Sequence, residues 1–264
     1  MGAKMKNAPV YFTVAQVQFN AVLNLESYLP AIQDRMRAER FPDYKREVLQ
    51  RIALPISGGD AEQVAAPPIL SQSRFTFGDI DGTSGFVLDN NSLSFQTTDY
   101  ETFETFSKKL LDGLSILHDA LHLDFTERVG LRYLDAVLPK AEKESLSDYL
   151  APEVLGLSQK LGGQLLHSVS ETVSFFNGGQ LVSRVIIQNG RVGLPPELAA
   201  GAPKVNSRFT QPEGPHAILD TDAYCEQREG FDLSKLETRL SVLHDEILKS
   251  FNVTVTPHAT KTWN

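Results

Sequence analysis

One cysteine, Cys225, occurs in 264 residues. An internal disulfide framework is excluded, and the composition fits a reducing compartment. No apolar run approaches the ~18 residues that a membrane-spanning helix needs. The start of the chain, Met1-Gly2-Ala3-Lys4-Met5-Lys6, has no apolar signal core behind it and no Ser or Thr at the sixth position for myristoylation. A cytoplasmic location is expected, with no membrane partner. Positive charge is short as well: 25 Lys and Arg stand against 33 Asp and Glu, a net charge of −8. No basic cluster offers the footprint that phosphate contacts demand, so a nucleic-acid partner is disfavoured while a protein partner is not. Gly-x-Gly-x-x-Gly, a P-loop, Gly-x-Ser-x-Gly, His-Glu-x-x-His and any Cys/His metal spacing are all missing. These patterns therefore announce no cofactor, no metal and no catalytic residue.

What the chain does contain is a helix that occurs twice. Ser115-Ile116-Leu117-His118-Asp119-Ala120-Leu121 returns as Ser241-Val242-Leu243-His244-Asp245-Glu246-Ile247, and each copy reaches a phenylalanine, Phe125 or Phe251, at the same distance. Upstream, Tyr100-Glu101-Thr102-Phe103 precedes the first copy and Glu229-Gly230-Phe231 the second. Such a pattern predicts two similar halves, 1–139 and 140–264, derived by internal duplication and packed as one unit.

Around these helices the periodicity changes. Val10 to Val22 alternates, with Tyr11, Ala15, Val17, Phe19 and Ala21 on one face and Gln16, Gln18 and Asn20 on the other, as in a half-buried strand. Leu25 to Phe41 predicts a helix with Pro30 in its first turn, and Tyr44 to Ile52 a short one. Leu54 to Ser73, with Pro55, Gly58, Gly59, Pro67 and Pro68 and few large apolar residues, reads as an exposed loop. Three strands follow, turning at Asp81-Gly82 and Asp89-Asn90-Asn91. Arg128 to Leu138 is a strand, Asn177-Gly178-Gly179 marks a hairpin, and Asn189-Gly190 suggests a further turn. Pro195 to Pro212 reads as a loop, and His216 to Glu226 as a strand. Hairpins dominate, which predicts an α+β fold: a largely antiparallel sheet with the long helices on one face.

Candidate chemistry is sparse. Asp79-Ile80-Asp81-Gly82-Thr83 resembles the signature of haloacid dehalogenase-like phosphatases, but that motif ends a buried parallel strand, and an Asp-Gly turn accounts for every residue here. His118 and His244 border apolar stripes. Each is followed by an aspartate that cannot face it on a helix, although a pseudo-twofold helix pair would let the two histidines meet. Asp220, Asp222 and Glu226 share a strand face that could attract a hard cation or simply face solvent. Arg128 and Arg132 share another, and if their strand neighbours the first one, Gln16 and Gln18 join them in a polar face suited to an anion or a partner carboxylate. The plainer alternative pairs the arginines with Glu127 or Asp135. Trp263, the sole tryptophan, is either an interface anchor or tucked onto its own domain.

The opening Val10–Phe19 strand, Arg128-Val129-Gly130-Leu131-Arg132-Tyr133 and the terminal Leu243-His244-Asp245…Phe251…Trp263 box together resemble a sporadically distributed bacterial family of about 250 residues without an established activity. The resemblance implies a mobile or defence-associated setting and supplies no catalytic residues. Two functions stay open. One is a non-catalytic subunit that binds a protein partner or another copy of itself. The other is a small-ligand-binding protein or enzyme with its site between the halves, for which Arg128, Arg132, Gln16, His118 and His244 are the candidates.

Overall fold

A computed structural model describes residues 5–52, 69–140, 144–161 and 164–264. Its strands are β1 (Val10–Phe19), β2 (Asp43–Ile52), β3 (Ile69–Gly78), β4 (Ser84–Asp89), β5 (Ser92–Thr97), β6 (Phe125–Val137), β7 (His167–Phe176), β8 (Gly179–Arg191) and β9 (Glu213–Gly230). Among the described residues, the α-helices are α1 (Leu29–Ala38), α2 (Phe103–Leu121), α3 (Leu146–Tyr149), α4 (Pro152–Leu155), α5 (Pro196–Ala199), α6 (Ser207–Thr210), α7 (Leu233–Thr254) and α8 (Pro257–Trp263). The nine strands form one sheet in the order β2-β3-β4-β5-β1-β6-β9-β8-β7, with every paired neighbour antiparallel. The fold is mixed α and β around a large antiparallel sheet. No described helix is long and apolar enough to cross a membrane.

Each face of the sheet has its own cover. Ala15, Val17 and Phe19 of β1 bury against Leu110, Leu114 and Leu117 of α2 and Leu236, Leu240 and Leu243 of α7 in the largest core cluster. Burying one such Leu or Phe side chain contributes ~2 kcal/mol. Thr102 caps α2 by accepting from the Thr105 amide at 3.2 Å, and Asp232 caps α7 by accepting from the Ser234 amide at 2.9 Å. At Gly113 the helix comes so near the sheet that a Cβ would fall 2.4 Å from the Phe86 ring. The opposite face is crossed by the β8–β9 connection. Val192 and Phe209 there pack on Tyr11, Phe12 and Leu134, Gln96 Nε2 donates to Gly201 O at 3.0 Å, and Thr98 Oγ1 donates to Lys204 O at 2.7 Å.

Several sequence expectations change. Tyr44–Ile52 is not helical but belongs to β2, paired with β3 along its whole length. Its Lys, Arg, Glu and Leu favour a helix locally, and strand pairing overrides that preference. Asn189-Gly190 is not a turn. It continues β8 because Pro215 and Gly214 of β9 extend far enough to pair with it. Of the expected loop at Leu54–Ser73, positions 54–68 lie outside the described residues, and Ile69 onward is strand. The two repeated helices also end differently. His122, left-handed at φ 52°, stops α2 before Phe125, whereas α7 runs on through Phe251 to Thr254.

Candidate functional site

Strand register decides which residues meet. Across β1 and β6, Val14 faces Arg132, Gln16 faces Gly130 and Gln18 faces Arg128. Residues directly opposite in an antiparallel pair share a face, so Gln16, Gln18, Arg128 and Arg132 stand together on the face away from α2 and α7. Ser94 and Gln96 of β5 and Asp222 of β9 extend that face. The result is an open polar groove of about 290 Å³ over the β1–β6 junction, rimmed by Glu197 and Leu198 of the crossing segment. Gln16 Nε2 donates to Ser94 Oγ at 3.2 Å and Gln18 Nε2 to Gln16 Oε1 at 3.4 Å.

Internal partners already hold the groove's arginines. Arg132 makes a two-pronged contact with Asp220, Nε at 2.6 Å and a terminal nitrogen at 2.8 Å, and reaches Glu197 at 3.0 Å. Burial works against the Arg132 charge, but the hydrogen bonds and charge of Asp220 more than offset it and raise its pKa. Arg184 approaches the same Asp220 at 3.5 Å and bonds to Glu171. Arg128 lies over the Tyr224 ring at 4.5 Å and stands 3.6 Å from Glu226. Arg74 pairs with Asp89 at 3.3 Å. The alternative partners Glu127 and Asp135 do not hold the arginines: Glu127 pairs with Arg228, and Asp135, three residues on from Arg132 and so on the opposite side of the strand, points to the other face. Two of the three carboxylates, Asp220 and Glu226, are paired with arginines. Asp220 is clamped by guanidinium groups, and no cluster of three or more metal-ligating side chains occurs among the described residues. Burial raises the Asp222 pKa, partly countered by Arg128 and Arg132.

The Asp79 motif is a turn lock. Asp79 accepts from the Thr83 amide at 2.8 Å and the Thr83 hydroxyl at 3.0 Å, while Gly82 supplies the positive φ of 69°.

The two histidines sit far apart. His118 stacks on Phe231 just before α7 at 4.4 Å, and His244 stacks on Phe103 at the start of α2 at 4.2 Å. The long helices thus cross with opposed directions. His118 lies fifteen residues along α2 from Phe103, a span of roughly 22 Å. Their meeting across a twofold axis is excluded. Among the described residues, the Nδ1 of His118 is buried without a hydrogen-bond partner. Trp263 is buried at 3% exposure and packs on Tyr149 and Phe251, so it anchors its own chain.

A second cleft escaped the sequence reading. It lies on the helix-covered face, encloses about 240 Å³, and is lined by Val10, Tyr100, Phe103, Tyr133, Asp135 and His244 among others. Tyr133 donates to the Tyr100 hydroxyl at 3.0 Å. Burial pushes the Tyr100 pKa up to about 12 and holds Tyr133 well above the ordinary tyrosine range. Asp135 is 7% exposed, and among the described residues its carboxyl accepts no hydrogen bond and pairs with no cation. Burial alone raises its pKa to about 7. His244 is held below its usual value by burial. The available signal was parity: Asp135 falls on the same side of β6 as Tyr133 and Leu131.

Neither a family model nor a curated protein matches the chain.

Proposed function

We propose that the protein is a non-catalytic interaction subunit, and that it assembles through β7 with a second copy of itself. The observation that carries this reading is the edge strand. β7 closes one side of the sheet with a backbone edge that no other described strand covers, and its exposed face presents Val169, Val173 and Phe175, the last at 85% exposure. Soluble proteins guard such edges with lysine, proline or bulges. β7 has none of these, and its one acidic residue, Glu171, is held by Arg184.

The strand's own sequence suits antiparallel pairing about Thr172. Each Val169 then lies opposite the other copy's Phe175, a favourable aromatic and β-branched pair. Each Glu171 meets Val173, and the two glutamates stay off each other. Cytoplasmic residence and a role as an accessory, neutralising or regulatory partner in bacterial defence or conflict follow from the composition and from the resemblance to the sporadically distributed family. We read the two sets of strands, β2 to β5 with β1 and β6 with β7 to β9, as copies of one ancestral unit whose long helices pack on one face. The mirrored strand order and the reciprocal histidine stacking support that reading, and it moves the join from the sequence-based 139/140 boundary to the stretch between α2 and β6.

Sedimentation equilibrium tests the assembly. The wild type is expected to be a dimer at micromolar concentration, and Val173→Lys a folded monomer. A monomeric wild type, or a dimer indifferent to Val173→Lys, overturns the proposal. The polar groove favours ligand binding as a second reading because it spans the junction of the two strand sets, although its charges are internally satisfied.

A further inference from the structure

We propose that the cleft containing Asp135 binds a small protonated primary amine with an apolar body. The inference is independent of β7 and of the polar groove, which lie elsewhere on the sheet.

The cleft has three properties that together define its ligand. Its walls are apolar and aromatic: Val10, Phe103, Leu248 and Phe251 line it, and the Tyr100 and Tyr133 rings lie close enough to the Asp135 carboxyl to feel its charge. Among the described residues its charged groups are acidic: Glu101 and Glu104 flank the start of α2, Asp135 comes from β6, and neither lysine nor arginine is in the lining. Among the described residues His244 from α7 is the only basic side chain in the lining, and burial lowers its pKa, which disfavours its charged form. Most telling is Asp135 itself. A buried carboxyl is ordinarily clamped by donors, as Asp220 is by Arg132 and Arg184. Asp135 is more than nine-tenths buried, lines the cavity, and has no donor among the described residues.

A primary ammonium supplies what this carboxyl lacks: a positive charge and up to three hydrogen-bond donors. Aromatic rings next to the charge add cation–π attraction, and the apolar walls take the hydrocarbon body. A quaternary ammonium has no N–H to give Asp135, and an anion would meet three carboxylates. The site therefore selects for protonated amines, and the primary ammonium, with the most donors, suits Asp135 best.

Benzylamine and its neutral counterpart benzyl alcohol are suitable probes, followed by calorimetry and thermal melting of the full chain. Benzylamine is expected to bind at pH 8 and to raise the melting temperature, while benzyl alcohol binds at least tenfold more weakly. Because Asp135 ionises near pH 7, benzylamine affinity should fall about tenfold between pH 8 and pH 6 as the carboxyl takes up a proton. Asp135→Asn should abolish the preference for the amine and flatten this pH dependence. Phe103→Leu should weaken both probes together. Benzylamine that fails to bind overturns the proposal. So does equal binding of amine and alcohol, or an amine preference that survives in Asp135→Asn.

Discussion

Two buried aspartates on neighbouring strands meet opposite fates. Asp220 on β9 lies opposite Leu134, and Asp135 on β6 lies opposite Leu219, so the two are one step apart in register and on opposite faces of the sheet. Both are less than 8% exposed. Asp220 is held by Arg132 and Arg184; Asp135 is held by nothing among the described residues. Burying an ion is tolerable only where partners replace the lost water. The fold meets that condition on the groove side and leaves it unmet in the cleft. A structural carboxylate looks like the first, and a carboxylate kept for a ligand looks like the second, since functional sites are where proteins retain destabilising groups.

The contrast predicts opposite signs for mutation. Asp135→Asn should stabilise the protein, with the largest effect of the set. The folded pKa of about 7 lies above the unfolded reference of 3.8. The folded chain therefore holds the extra proton between those values. This favours folding fully below pH ~4 and is lost as pH rises through 7. About three pK units at ~1.4 kcal/mol each set a ceiling of ~4 kcal/mol for the gain at pH 8, vanishing near pH 4. Urea denaturation at both pH values checks it, and equal stability of the two proteins at pH 8 would break the comparison. Arg132→Ala should do the reverse, costing ~3 kcal/mol by leaving Asp220 with Arg184 alone, readable in the same titrations. Smallest should be Arg35→Ala. It removes the partner of Asp119 in a pair where both side chains are 55% exposed, and solvent screening limits the change to within ~0.5 kcal/mol.

Local chemistry made much of the fold legible. The Asp-Gly, Asn-Asn and Asn-Gly-Gly turns fix the β3–β4, β4–β5 and β7–β8 hairpins, and Asp232 marks the start of α7. Alternation sorted Gln16, Gln18, Arg128 and Arg132 onto one face. What failed was what depends on distant neighbours. β2 reads as helix because its strand character comes from pairing with β3, and Asn189-Gly190 reads as a turn until β9 is known to run alongside it. Asp135 reads from sequence as one alternative partner for the arginines, because only the assembled sheet, with Tyr100 brought in from the segment before α2 and His244 from α7, shows that it opens into a cleft. Trp263 could not be placed from sequence, since Tyr149 and Phe251 reach it from separate elements.

The position of β6 has a consequence in time. It pairs with β1 on one side and β9 on the other, yet β6 ends at Val137 and β9 begins at Glu213, so 75 residues lie between them. At a synthesis rate of ~5–20 residues per second, the open edge of β6 waits on the order of 4–15 s for its partner to emerge. During that interval the nascent chain presents a long strand carrying Val129, Leu131, Tyr133, Leu134 and Val137 beside β1. Assembly of this protein is thus vulnerable to mispairing between growing chains at its very centre, and the translation speed through residues 138–212 should govern the yield of folded protein more than that of any other segment.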